Sequence, residues 1–261
     1  MVLEYKNGKD FIIDNKEFLD ENKYMSVFFY LDAKILNEVS KENFAIKVEN
    51  NNKKLLAIKV NPYNLLLYGD KSNTIELLEY LNRNNFIYDG IMCQTAIGDI
   101  ILDKNKDYYK TIGMDFMEVK EITFSSSKEV IVATISDLDE IYNLSWSFFK
   151  DCGLPDIPNK DKMKDIINNY RVIKKDNKIV SMAAFSKDTE NSYRITHVYT
   201  RPLYRGLGYS KMVVNTLKNE IIKSGKIATL NVDQNNPISY HIYASLGFKK
   251  IFSQGIYLRR K

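Results

Sequence analysis

The stretch best equipped for chemistry is Arg205-Gly206-Leu207-Gly208-Tyr209-Ser210. It follows an apolar segment ending in Val198-Tyr199-Thr200. A helical pattern comes after it, with Val213, Leu217 and Ile221 spaced by four and Val214 beside them. A helix start exposes unpaired N–H groups and a partial positive charge. Glycines before it let the backbone approach a ligand and adopt positive φ. Arg205 adds a fixed charge suited to phosphate oxygens. Two readings stand for the stretch alone: a pyrophosphate cradle, or a plain strand-to-helix turn. A dinucleotide loop is excluded, because no third glycine stands in register. A Walker loop is excluded, because no Gly-Lys-Ser/Thr follows.

One predicted strand later (Ile227 to Val232) comes Asn236-Pro237-Ile238-Ser239-Tyr240-His241-Ile242-Tyr243-Ala244-Ser245-Leu246-Gly247-Phe248. Asn236 suits an N-cap and Pro237 a first helical position. Gly247 suits the helix end. Helical spacing puts Asn236, Ser239 and Tyr243 on one stripe, with His241 roughly opposite. It puts Ile238, Ile242 and Leu246 on a packing side. Alone, Asn236 reads as a cap and Tyr243 as a core aromatic.

Together, in this order, the two stretches resemble the motifs of the GNAT superfamily of N-acetyltransferases. The loop is similar to that family's Arg/Gln-x-x-Gly-x-Gly/Ala, with Ser210 where Gly or Ala is usual. The resemblance covers about residues 129–261. It implies that residues 205–210 hold the pyrophosphate of acetyl-CoA. It also implies a backbone donor near Val198 for the thioester carbonyl, a pantetheine contact by Thr200, and a cofactor contact by Asn236. Tyr243 would protonate the departing thiolate. Many members carry a Glu where this chain has Asn231, which cannot act as a base. Asp233 is near but shifted. His197 has a suitable ordinary pKa. Strand alternation groups it with Ile195 and Tyr199, unless a bulge changes its facing.

The implied function is acetyl transfer from acetyl-CoA to a primary amine of a small molecule or peptide by direct attack. A non-catalytic CoA-binding sensor is the alternative. A tandem-GNAT aminoacyl transferase of the cell-wall type is a third, but it would not need the pyrophosphate loop.

The elements must place these residues. The 261-residue chain has room for two ordinary domains. Ser125-Ser126-Ser127-Lys128 reads as a linker. The expected domains are therefore 1–125 and 126–261, both α/β with mixed sheets. The first is expected to be an accessory domain, resembling a GNAT-like copy that has lost its cofactor site, with an unrelated α+β partner domain as the alternative. It would wall the acceptor groove or form a homodimer contact. In it, Asp14-Asn15-Lys16-Glu17 opens a helix and Met25 to Leu31 is strand or helix. Asn64 to Tyr68 is a strand. A helix follows with Ile75, Leu78 and Leu81 as its stripe, and Phe86-Ile87-Tyr88 is another strand. In the second, Glu129 to Ala133 is a strand and Ser136-Asp137 caps a helix. A three-stranded meander then runs to Thr200, through turns at Asp176-Asn177 and Lys187 to Asn191. The glycine loop and its helix come next, with Lys211, Asn215, Lys218 and Lys223 on the helix surface and Gly225 as its cap. A strand, a short helix and a final strand pair end the chain.

The composition fits this. Eighteen Tyr and thirteen Phe build a core. The net charge of +5 is spread in alternating signs, so no nucleic-acid partner is expected. Cys93 and Cys152 have no neighbour at metal or disulfide spacing. No metal is expected. No apolar run approaches 18 residues, so no membrane partner is expected and the cytoplasm is the expected location.

Overall fold

Near-continuous apolar runs in the central strands organise both halves of the chain, because each sheet is covered on two faces. The computed structural model describes residues 1–21, 23–153, 158–187 and 190–260, apart from the side chains of 23–25. The chain forms two compact units, residues 1–115 with 252–261, and residues 116–251.

The first unit runs β1 (Val2–Glu4), α1 (Gly8–Glu21), α2 (Lys23–Ile35), β2 (Phe44–Asn50), β3 (Lys53–Lys59), β4 (Leu65–Gly69), α3 (Thr74–Arg83), β5 (Gly90–Gln94), α4 (Thr95–Lys104) and β6 (Tyr108–Val119). The last residues of β12 (Lys249–Arg259) complete its sheet against β5. Leu55, Ala57, Leu65 and Leu67 pack on α3 and α4. Leu56, Ile58, Leu66 and Tyr68 pack on α1 and α2.

The second unit runs β7 (Ile131–Val132), α5 (Leu138–Asp151), α6 (Lys160–Asp165), β8 (Tyr170–Lys175), β9 (Lys178–Lys187), β10 (Ser192–Thr200), α7 (Tyr209–Lys223), β11 (Ile227–Asp233), α8 (Pro237–Ser245) and β12. The two orders are the same: strand, two helices, three strands, helix, strand, helix, strand. Strands β8, β9 and β10 form the expected antiparallel meander. Helix α7 then crosses over, so β10 and β11 pair in parallel.

Several local expectations are corrected. Met25 to Leu31 is helical. The strand near Phe86 is Gly90–Gln94, and residues 86–88 form a connection before it. The buried face of α3 is Thr74, Leu77 and Leu81, while Ile75 is exposed. The strand at 129–133 keeps only Ile131–Val132. A capping box of Thr134 and Asp137 starts the turn before α5. On α8, Ile238 is exposed rather than packed. One long strand, β12, replaces the final pair. Residues 188 and 189 of the turn after β9 lie outside the described residues.

The largest correction concerns α7. Asn215, Lys218 and Asn219 are buried, and Lys218 is 0 % exposed. Lys218 Nζ donates to Thr123 Oγ1 at 3.0 Å and to the Leu246 carbonyl at 3.1 Å. Asn215 donates to the Ser125 carbonyl, and Asn219 to the Phe124 carbonyl. The polar face of α7 therefore straps down residues 123–126, which overlap the start of the linker expected at 125–128. Burial pushes the Lys218 ammonium below its ordinary pKa. Lys218→Ala removes buried packing and the shorter of the two hydrogen bonds to the Leu246 carbonyl, leaving only that from Thr123. It should lower unfolding stability by about 2–4 kcal/mol. Lys218→Met, which refills the volume, should lose less. Urea denaturation followed by the single tryptophan, Trp146, checks both.

Candidate functional site

Strand β10 pairs with β11 only through Ser192 to Ile195, against Ile227 to Leu230. It continues five residues past that ladder, to Thr200. The break coincides with a bulge toward β9. Thr196 opposes Ala184 and Tyr199 opposes Met182, so His197 and Val198 together face one residue. His197 sits at φ 51°, a left-handed value costly for a side-chain-bearing residue.

The extra residue shifts the facing of all that follows. Ile195 and Val198 pack toward α7, whereas Tyr199 packs toward α5. His197 goes with Tyr199. Its ring lies 5.4 Å from Phe148, 5.6 Å from Phe149 and 5.8 Å from Tyr170. Its Nδ1 is 3.3 Å from the Tyr170 hydroxyl. Burial, then the charge of Arg194, pulls the imidazole down to about 4. The ring is therefore neutral near pH 7, but it holds a proton weakly.

The loop after β10 is pinned from behind. Arg201 donates through Nε to the Ile179 carbonyl at 2.6 Å and through a terminal nitrogen to Glu140 at 2.6 Å. Thr200 Oγ1 lies 2.8 Å from Ser181 Oγ. Gly206 and Gly208 take φ 79° and 81°, open only to glycine without strain. A Cβ on either would meet nothing within 4 Å, so the space over the loop is open. Gly208 caps α7, and no side chain satisfies the first N–H groups of Tyr209 and Ser210. Leu207 is exposed. Arg205 donates through Nε to the Thr200 carbonyl at 3.0 Å and reaches Asp151 at 2.7 Å. Asp151 was not singled out in the sequence. It lies about 50 positions away, and only the packing of α5 brings it here.

Asn236 caps α8 by accepting from the Ser239 N–H at 3.0 Å. Tyr243 is buried in the core with Val232 and Phe248. Burial pushes its phenol up to about 12, so it stays protonated. Ser239 hydrogen-bonds it, and Cys152 lies within electrostatic reach. Asp233 is engaged in the turn before α8, accepting from the Asn235 N–H at 2.8 Å. Thus Val198, Thr200, Arg205 to Ser210, Asn236 and Tyr243 all belong to one unit, as does His197 on the α5 side of its sheet. Among the described residues, no group of His, Cys, Asp or Glu is placed to hold a metal ion.

The first unit shows the same position filled. After β4, Asp70 accepts from the Ser72 N–H at 2.8 Å and pairs with Lys53 at 3.7 Å. Gly69 there is packed against the Lys54 carbonyl. A carboxylate therefore stands in the turn before α3, where the second unit has Gly206 and Gly208 before α7.

Comparison with known proteins agrees with this geometry. The family described as Acetyltransferase (GNAT) family matches residues 136–248. An acetyltransferase of the GNAT family from Colwellia psychrerythraea aligns over 100% of both chains, with TM-score 0.63 and 11% identity. A GCN5-related N-acetyltransferase from Sphaerobacter thermophilus aligns over 89% of this chain and 84% of its own, with TM-score 0.58 and 11% identity. A tandem GNAT protein from the clavulanic acid biosynthesis pathway aligns over 98% and 97%, with TM-score 0.52 and 7% identity. At such identities the likeness shows the fold. No curated protein matches the chain.

The depressed imidazole gives a test. A folded pKa below the unfolded one means stability is full above about pH 6.5 and is lost as pH falls toward 4. The loss from His197 should reach roughly 2–3 kcal/mol. Its ring signals in an NMR titration should stay constant from pH 8 to 5.5. Movement centred near 6.5 would contradict the buried placement.

Proposed function

We propose that the chain, whose residues 136–248 match the family described as Acetyltransferase (GNAT) family, moves an acetyl group from acetyl-CoA to a primary amine of a small molecule or peptide. One observation carries this reading. The uncapped, glycine-flanked start of α7 follows directly on the strand that parts from β11. The first gives anion donors, and the second frees backbone donors for an oxyanion.

The residues fit the cofactor. The open space over Gly206 and Gly208 admits phosphates, and the N–H groups of Tyr209 and Ser210 face no capping side chain. Acetyl-CoA supplies the acyl thioester. Arg205 exchanges its Asp151 partner for phosphate oxygen. The Val198 N–H polarises the carbonyl, and Thr200, oriented by Ser181, steadies the neighbouring arm. Asn236 spends its Oδ1 on the α8 cap, which leaves its amide hydrogens for a cofactor carbonyl. Tyr243 holds a proton at its hydroxyl and gives it to the leaving thiolate.

A second reading, a CoA-binding sensor, rests on the missing base. Asn231 cannot serve, Asp233 is held in a turn, and His197 binds a proton too weakly. We assign residues 1–125 an accessory role, since Asp70 fills their equivalent loop. We place the reaction in the cytoplasm. The two cysteines are unpaired, and among the described residues no helix is long and apolar enough to cross a membrane.

A thiol-release assay with acetyl-CoA and an amine panel tests the reading. Tyr243→Phe should lower kcat about 10²-fold with little change in KM for acetyl-CoA. Arg205→Ala should weaken CoA binding about tenfold, and Asp151→Asn should strengthen it. CoA binding without turnover on any amine would favour the sensor. No CoA binding would end both readings.

A further inference from the structure

The first unit contains a cavity of about 360 Å³ between the C-terminal halves of α3 and α4. That volume lies in the ordinary range for small-molecule sites, roughly 300–1,000 Å³. Every residue lining it belongs to this unit, so what it binds is independent of the acetyl-transfer reading.

The cavity is apolar at its base and cationic at its rim. Phe86, Ile101 and Tyr108 are buried and form the apolar part. The ring of Tyr88 adds a further flat face. The lining includes two cations, Lys104 and Arg259, and no carboxylate. Arg259 is fixed by its backbone, which donates to the Asp89 carbonyl at 3.2 Å. Its charge is felt by both Tyr88 and Tyr108. Its ion pair with exposed Asp107 is loose, at 3.7 Å, and that of Lys104 with Asp103 is 4.0 Å. Such exposed pairs hold their cations weakly and yield them to a better partner.

The two phenols set the polar chemistry. Tyr88 and Tyr108 influence each other, and burial keeps both protonated. A protonated phenol can donate to an acceptor. A hydroxyl donor beside a guanidinium suits a carboxylate, which accepts at two oxygens. The helix ends argue against a more highly charged group. Lys104 closes the last turn of α4, and the cavity lies beside the last turns of both helices. Those ends carry partial negative charge, which opposes an anion in proportion to its charge and so opposes a dianionic phosphate more than a single carboxylate that two cations meet. The aromatic faces favour a flat body over a branched one.

We propose that this cavity is a binding site for an aromatic monocarboxylate. Its carboxylate meets Arg259, Lys104 and the Tyr108 hydroxyl, and its ring lies against Phe86 and Ile101.

The full-length chain, labelled at isoleucine methyls and tyrosine rings, is titrated with benzoate and followed by NMR. Benzamide serves as the neutral isostere and inorganic phosphate as the multivalent anion. Benzoate should shift Ile101 and Tyr108 signals saturably, and benzamide should bind about tenfold more weakly or worse. Arg259→Gln should weaken benzoate about tenfold while leaving benzamide unchanged. Lys104→Gln, at an exposed position, repeats the charge test if the arginine variant fails to fold. Tyr108→Phe keeps the ring and should also weaken benzoate. The proposal is overturned if benzamide or phosphate binds as well as benzoate. It is equally overturned if the shifts fall at residues 205–210, or if Ile101 and Tyr108 do not respond to benzoate.

Discussion

The second unit depends on one extra residue in β10. Inserting it between Ile195 and Tyr199 ends the ladder to β11 and reverses the facing of the strand. Both effects have one cause, because a one-residue slip moves every later side chain to the other face. The left-handed backbone at His197 costs on the order of 1–2 kcal/mol. Packing of its ring among Phe148, Phe149 and Tyr170 offsets that cost. The strand therefore arrives at Thr200 already detached from β11. It leads within a few residues to the uncapped end of α7.

The two units show what a loop contributes once the elements are given. Both run through the same ten elements in the same order, and both cover a sheet on two faces. They differ at the turn after the third strand of the meander. Asp70 satisfies an N–H from its own side chain and carries negative charge there. Gly206 and Gly208 add no side chain at the corresponding turn. The Asp70 charge opposes an anion at the first turn, and no side chain opposes one at the second. Shared architecture alone implies no shared chemistry.

The features legible in the sequence were those whose physics is local. The glycine loop, the Asn236 cap, the Asp176-Asn177 turn and the meander follow from φ demands, capping and alternation. Features set by distant packing were not legible. Lys218 reads as a surface cation because helical spacing cannot foresee a strap lying over that face. Residues 86–88 read as a strand, yet Phe86 and Tyr88 reach the core from a connection while Ile87 is exposed. Arg205 gave no hint of Asp151, and the bulge separated His197 from Ile195 while leaving it with Tyr199. The linker read at 125–128 is polar as expected, yet α7 holds the residues just before and at its start. Serine and threonine are read as exposed unless a buried donor claims their backbone.

Burial separates the two titratable groups beside the parted strand in opposite directions. The Tyr243 phenol is pushed up to about 12 and the His197 imidazole is pulled down to about 4. Such a separation usually marks an acid and a base. In the proposed reaction it supplies only the acid. A phenol that keeps its proton can donate it, whereas an imidazole near 4 cannot strip a proton from an ammonium several units more basic. Its contact with the Tyr170 hydroxyl and its three aromatic neighbours give it a structural task instead: they hold the left-handed turn that opens the strand. The proton of the acceptor must then leave before the attack, to water or by the amine arriving neutral. In the proposed reaction the ascending limb of a pH–rate profile would therefore follow the acceptor amine and move when the amine is changed. A protein base would fix that limb whatever the acceptor.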